Sequence, residues 1–279
     1  MIESDQDIGE LQFAKNLLEN PGLAAKFSSL VGTPIEKGFA LLPDNWNSRI
    51  SDVTHTALKK SFDIAVFSMK DIPGEEASNK WHKVGAAVSG GVGGLFGIPA
   101  LAVELPVSTS IMLRSVADVA RSEGESVSDV ETRMACIEVF AFGGSNQSDD
   151  GTESGYFAVR SALAKSVAEA AEHVARKGLT DQAAPALVRL ISRIAERFGI
   201  QVSQKAAAQA IPAIGAAGGA IINTLFIDHF QDMARGHFII RKLERKYGQQ
   251  AVRELYNSLP ALSLKKLADP AGLDLDPNK

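Results

Sequence analysis

YFAVRSALAKSVAEAAEHV, residues 156–174, places Tyr156, Val159, Leu163, Val167, Ala170 and Val174 at steps of three and four. That spacing follows one face of a helix with 3.6 residues per turn. Arg160, Lys165, Glu169, Glu172 and Arg176 fall mostly elsewhere on the wheel, so the stretch predicts an amphipathic helix with one buried side. Just upstream, SNQSDDGTESG at 145–155 has no large apolar group. It could not offset its ordering entropy by burial and reads as a mobile surface loop.

The same period recurs outward in both directions. From Asp44 to Lys70 the stripe is Trp46, Ile50, Val53, Ala57, Ala65 and Met69, with Asp44 as the cap. After Ser128, with Glu131 three residues on as a capping box, it is Val130, Met134, Ile137 and Ala141, closed by Gly143-Gly144. Downstream, Thr180-Asp181 is the expected cap of a helix carrying Leu187, Leu190, Ile191, Ile194 and Phe198 up to Gly199. No stretch sustains the period of two that half-buried strands require. An all-α protein follows, with an N-terminal helical extension at 1–43, a main helical domain at 44–259 and an irregular tail at 260–279.

Hydrophobic residues make up 45% of the chain but aromatics only 6%, which suits helices packed closely through small side chains. The net charge of -4, with both signs mixed along the chain, offers no general attraction for a phosphate backbone and argues against nucleic acid. The lone cysteine, Cys136, fits a reducing compartment, and its place in an apolar helical pattern predicts a buried, inert thiol. MIESDQDIGE lacks the basic and apolar regions of a secretory signal, so export by that route is not expected and the expected location is cytoplasmic.

Two segments stand apart from this pattern. VGAAVSGGVGGLFGIPALAV, residues 84–103, is twenty residues without a charge, six of them glycine; AAAQAIPAIGAAGGAIINTLFI, residues 206–227, repeats the theme. Each meets a carboxylate, Glu104 or Asp228, and then a helical pattern ending at Gly124 or Gly248. An offset of 124 residues also superimposes Gly91 on Gly215, Gly94 on Gly218, Ile98 on Ile222 and Arg121 on Arg245. The pattern is that of a pseudo-repeat, in which two glycine-rich helical hairpins form the bundle and flanking amphipathic helices cover it.

GGVGGLFGIPALAVELPVSTSIMLRSVADVARSEG, the helix near Glu131-Thr132-Arg133, and IPAIGAAGGAIINTLFIDHFQDMARGHFIIRKLERKYG together resemble the EcsC family over roughly residues 45 to 258. The resemblance implies an EcsC-like helical domain in a membrane-adjacent context, since the family is named for a protein encoded beside an ABC transporter. It implies no agreed catalytic residues. The acidic residue that the family shows before a proline is here Glu104, ahead of Leu105-Pro106.

Three readings are open for the glycine-rich segments. They form a core in which backbones approach closely, they contact a membrane or a membrane protein, or they touch a ligand. Gly90 with Gly94, and Gly93 with Gly97, stand four apart as a small-residue contact face needs, and Gly215, Gly218 and Gly219 offer a second face. Lys80, Lys83, Arg241, Lys242, Arg245 and Lys246 could meet anionic headgroups. Against full insertion stand the glycines, Pro99 and Glu104, the last costing roughly 2.5 to 3.5 kcal/mol at mid-bilayer. A nucleotide is not expected, because no strand precedes GGVGGLFG and no Gly-Lys-Ser or Gly-Lys-Thr occurs.

The expected role is therefore non-catalytic and without a cofactor: an accessory protein acting at a membrane surface or on a membrane protein such as an ABC transporter. The alternative is a metal-dependent hydrolase. Asp228 and Asp232 share a helix face with His229 one step round, and Glu104 could join them if the repeats pack antiparallel. Such a set suits one divalent ion. His55, His82 and His173 lie among polar neighbours and read as solvated, and His237 reads as structural.

Overall fold

A computed structural model describes residues 2, 4–19, 22–68, 98–144, 155–177, 185–211 and 215–260. Among them are ten α-helices and no strand: α1 (Asp5–Glu19), α2 (Leu23–Val31), α3 (Glu36–Phe39), α4 (Trp46–Ser68), α5 (Ile98–Ser122), α6 (Val130–Glu138), α7 (Gly155–Lys177), α8 (Pro185–Ala210), α9 (Gly215–Tyr247) and α10 (Gln249–Ser258). A 3-10 turn, Val139–Ala141, extends α6. The expected loop at 145–155, except Gly155 itself, and the tail beyond Pro260 lie outside the described residues, as do the Thr180-Asp181 cap and Gly90, Gly93, Gly94 and Gly97.

Four helices form the centre. α4 packs on α5 and α8, and α9 packs on α5 and α8. α8 and α9 are antiparallel: Lys205 of α8 bonds Asn223 of α9, and Phe198 packs on Phe230 with ring centroids 5.4 Å apart. Much of the small aromatic content is spent here, where Phe140, Phe198, Phe226 and Phe230 stack at 5.0 to 5.9 Å. Tilted and edge contacts of this kind are the favourable ones for aromatic rings.

α5 and α9 run parallel, not antiparallel. Gln231 Nε2 donates to Ser115 Oγ at 2.6 Å, and Arg241 Nε donates to Glu125, just past α5, at 2.9 Å. Under the offset of 124, α5 falls on residues 222–246 of α9. Gly124 and Gly248, which follow the two helices, share a left-handed φ of +82° and +86°.

The helices flanking this centre belong to the same core. Leu11, Ala14 and Leu18 of α1 are buried, and α1 packs along α9. Lys15, itself buried, donates to the carbonyls of Tyr256 and Leu259 at 2.8 Å each. It thereby satisfies carbonyls that the end of α10 leaves without an intrahelical partner. α3 comes so close to α8 that a Cβ on Gly38 would stand 2.1 Å from the carbonyl oxygen of Ala207. The small residues 206–208 thus act as a packing surface.

Two boundaries differ from the sequence expectation. α8 does not stop at Gly199 but continues for eleven residues to Ala210. A glycine inside a helix costs only about 1 kcal/mol, and the buried stripe runs on through Val202, Lys205 and Ala206. The break comes at Ile211, before Pro212, where the proline disfavours helical backbone in the residue ahead of it. At α6 the cap is Asp129, with no side-chain cap bond, and Ser128 Oγ lies 2.6 Å from Ser126 Oγ.

Candidate functional site

Both charge-free segments join the described helices at one end of the bundle, where α5 and α9 begin and α8 ends. Lys205 reaches that end because it extends the buried stripe of α8: Phe198, Gln201, Val202 and Lys205 are spaced by three and four. Its ammonium is wholly enclosed, 2.5 Å from Glu104 Oε1 and 2.7 Å from Asn223 Oδ1. The ring of Phe226 lies 5.0 Å from Nζ. Burial lowers the Lys205 pKa, and Glu104 pulls it back. The three side chains tie the first turns of α5 to α8 and α9.

Glu104 is thus held by a lysine. Asp232 bonds Lys26 of α2 at 3.3 Å, and Asp228 is partly buried on α9. His229 is 1% exposed, and neither ring nitrogen has a hydrogen-bond partner among the described residues. Burial, with Lys26 adding to it, lowers its pKa to about 3. The imidazole presses on Gly143, whose φ is +77°; a Cβ there would stand 2.4 Å from His229 Cε1 and Nε2. Among the described residues no three histidine, cysteine, aspartate or glutamate side chains come together as a metal site.

The other described histidines and the cysteine are structural, and His82 lies outside the described residues. His237 Nδ1 is 2.8 Å from the Tyr156 hydroxyl inside an aromatic cluster. His55 is half-buried, 3.4 Å from Ser192 Oγ, and His173 Nε2 is buried without a partner among the described residues, so neither is solvated as expected. Cys136 is 1% exposed and burial pushes its thiol up to about 12.

The outward side of the same end is apolar. Val103 is 75% exposed and Val107 49%, four residues apart on α5, and Ile221 of α9 is 48% exposed. Glu104 points inward, so the outward face of α5 carries no charge until the exposed Arg114, ~16 Å along the helix. Gly218 and Gly219, by contrast, are buried in the first turns of α9.

The basic residues near the C-terminus of α9 do not face outward as free charges. Arg241 and Arg245 hold Glu125, Lys242 holds Glu10 and Glu123 at 2.7 and 3.1 Å, and Lys246 holds Asp7 at 2.6 Å. No helix among the described residues is long and apolar enough to cross a membrane.

The model of the EcsC protein family matches residues 6–243. The match takes in α1 to α3, which the sequence resemblance did not reach. No curated protein and no solved structure matches the chain.

Proposed function

Since the chain belongs to the EcsC protein family, matched over residues 6–243, we propose that it is a non-catalytic accessory protein acting at the face of a membrane. Its contact element is the charge-free run of residues 84–103 together with the outward face of α5. The observation that carries this reading is the exposure of Val103 and Val107, 75% and 49%, the first closing the twenty-residue run without a charge and the second one turn beyond it, past the inward-facing Glu104. Scattered exposed aliphatics are normal on a protein surface, but these two share a helix face and continue an uncharged segment.

The magnitudes agree with reversible contact. Full burial of a valine gives ~1.5 to 3 kcal/mol, so two partly exposed valines supply a few kcal/mol and the run ahead of them must supply the rest. The objection raised by Glu104 is removed, because its carboxylate is compensated by Lys205 inside the bundle and need not enter lipid. No comparable observation favours the hydrolase, whose Glu104 and Asp232 are each engaged by a lysine.

Flotation with vesicles of phosphatidylcholine and phosphatidylglycerol tests the proposal. The chain is expected to float, and Val103→Asp with Val107→Asp to stay at the bottom of the gradient. A chain that never floats removes lipid as the target, and flotation that ignores both aspartates removes the α5 face as the contact. Recovery with one membrane protein but not with lipid would reassign the same face to a protein partner.

A further inference from the structure

Away from the α5 face, α6, α7 and the last turns of α9 enclose a groove of about 900 Å³. Its volume falls within the range of small-molecule sites. One face of α6 forms the floor, where Thr132, Ala135 and Glu138 follow one another at steps of three and are all buried. The opposite wall is the side of α7 that carries Ala164, Val167, Ala168 and Ala171. These short side chains leave the space open.

The charges of the groove divide into engaged and unengaged groups. Arg160 grips Glu244 through both guanidinium ends at 2.7 and 3.0 Å, and Arg241 and Arg245 share Glu125. Thr132 completes Glu125 at 2.9 Å. Glu138 differs from all of these. It is 6% exposed, lines the groove, and has no hydrogen bond or ion pair among the described residues. A buried carboxyl without a donor is costly and calls for a partner. Every arginine of the groove is already on a carboxylate, so an anionic ligand would have to break an existing pair.

We propose that the groove binds an aliphatic amine, with its ammonium on the Glu138 carboxylate and its hydrocarbon along the alanine and valine face of α7. Asp129 and Glu131, exposed at the rim, add attraction for a cation. Burial raises the Glu138 pKa to about 7, against the pull of Arg160 and Arg241 and with Glu244 adding to the rise. Near neutral pH an arriving ammonium therefore draws the group into its ionised form. The site is separate from the membrane-contact face, and its test does not depend on vesicle binding.

Calorimetric titration of the full chain with n-hexylamine, 1-hexanol and hexanoate at neutral pH tests the assignment. Hexylamine is expected to saturate one site and raise the melting temperature. Hexanol is expected to bind at least about tenfold more weakly, the scale of one charge-assisted hydrogen bond. Glu138→Gln should lose that advantage. Ala168→Trp, at an exposed position, should fill the groove and remove binding, and it serves if the glutamine variant does not fold. Equal binding of the alcohol, preference for hexanoate, or no saturable binding of hexylamine would each overturn the proposal. So would capture of a lysine-bearing helical peptide without amine binding, which would make the groove a protein-docking surface.

Discussion

Lys205 Nζ lies 2.5 Å from Glu104 Oε1, and both side chains are almost fully withdrawn from water. A buried pair of this kind does little for net stability, but losing one member leaves an uncompensated charge at ~3 to 5 kcal/mol. Lys205→Ala or Glu104→Ala should lower unfolding free energy by about that much in urea titrations. The double change Glu104→Leu with Lys205→Met should lie closer to wild type than either single alanine. If the single changes are neutral, the pair does not hold the bundle end together.

His229 makes a prediction of opposite sign. Its two ring nitrogens are buried without partners among the described residues, so His229→Leu removes an unsatisfied group worth about 1 to 3 kcal/mol and should raise the melting temperature. The folded pKa of about 3 lies below the ordinary 6.5. The stability that depends on neutral His229 is present above about pH 6.5 and is lost as pH falls toward 3. The gain from leucine should therefore be larger at about pH 5 than at neutrality, which melts at the two values will check.

Gly143 is coupled to the same ring. Gly143→Ala sets a Cβ into the imidazole at a left-handed φ and should destabilise, with ~1 to 2 kcal/mol from the backbone alone. In a His229→Ala background the steric part due to the imidazole should disappear, while the backbone part and the contact with Met233 Sδ at 3.0 Å remain. A double-mutant cycle measures the difference, and perfect additivity would contradict the contact.

Glu138 gives the reverse pH dependence to His229. Its folded pKa of about 7 lies above the ordinary 4.5, so its contribution is complete below about pH 4.5 and is lost as pH rises through 7. The loss is on the order of 3 kcal/mol. Arg160 of α7, Arg241 and Glu244 of α9 and Tyr156 of α7 surround the group and modulate it. Denaturant titrations of Glu138→Gln should show a flatter profile across that window than wild type.

The period of the apolar residues made the helices legible. The stripes of α7 and α8 are buried where the spacing placed them, with Val167 half-buried; in α4 Ile50 and Ala57 are buried and Trp46 and Val53 half-buried, while the side chain of Ala65 and all of Met69 lie outside the described residues. Lys205 was hidden by one step: ending α8 at Gly199 concealed that the stripe continues through Val202 to a lysine on the buried face. The signal was present in the spacing, but a local glycine preference outweighed it. Glu138 had a weaker signal, being four residues after the buried Met134. The pairing of Lys242 and Lys246 with α1 could not be read locally, because Glu10 and Asp7 are more than two hundred residues away in sequence.

The most direct test of membrane contact uses the native chain's only cysteine to advantage, because Cys136 is 1% exposed and its thiol is raised to about 12. Cysteines introduced singly at Val103, Val107 and the exposed Arg176 of α7 can each carry a polarity-sensitive fluorophore. On adding phosphatidylglycerol-containing vesicles, the emission at positions 103 and 107 should shift to the blue while that at 176 stays unchanged. No shift at 103 and 107, or the same shift at all three positions, would contradict a membrane contact through α5.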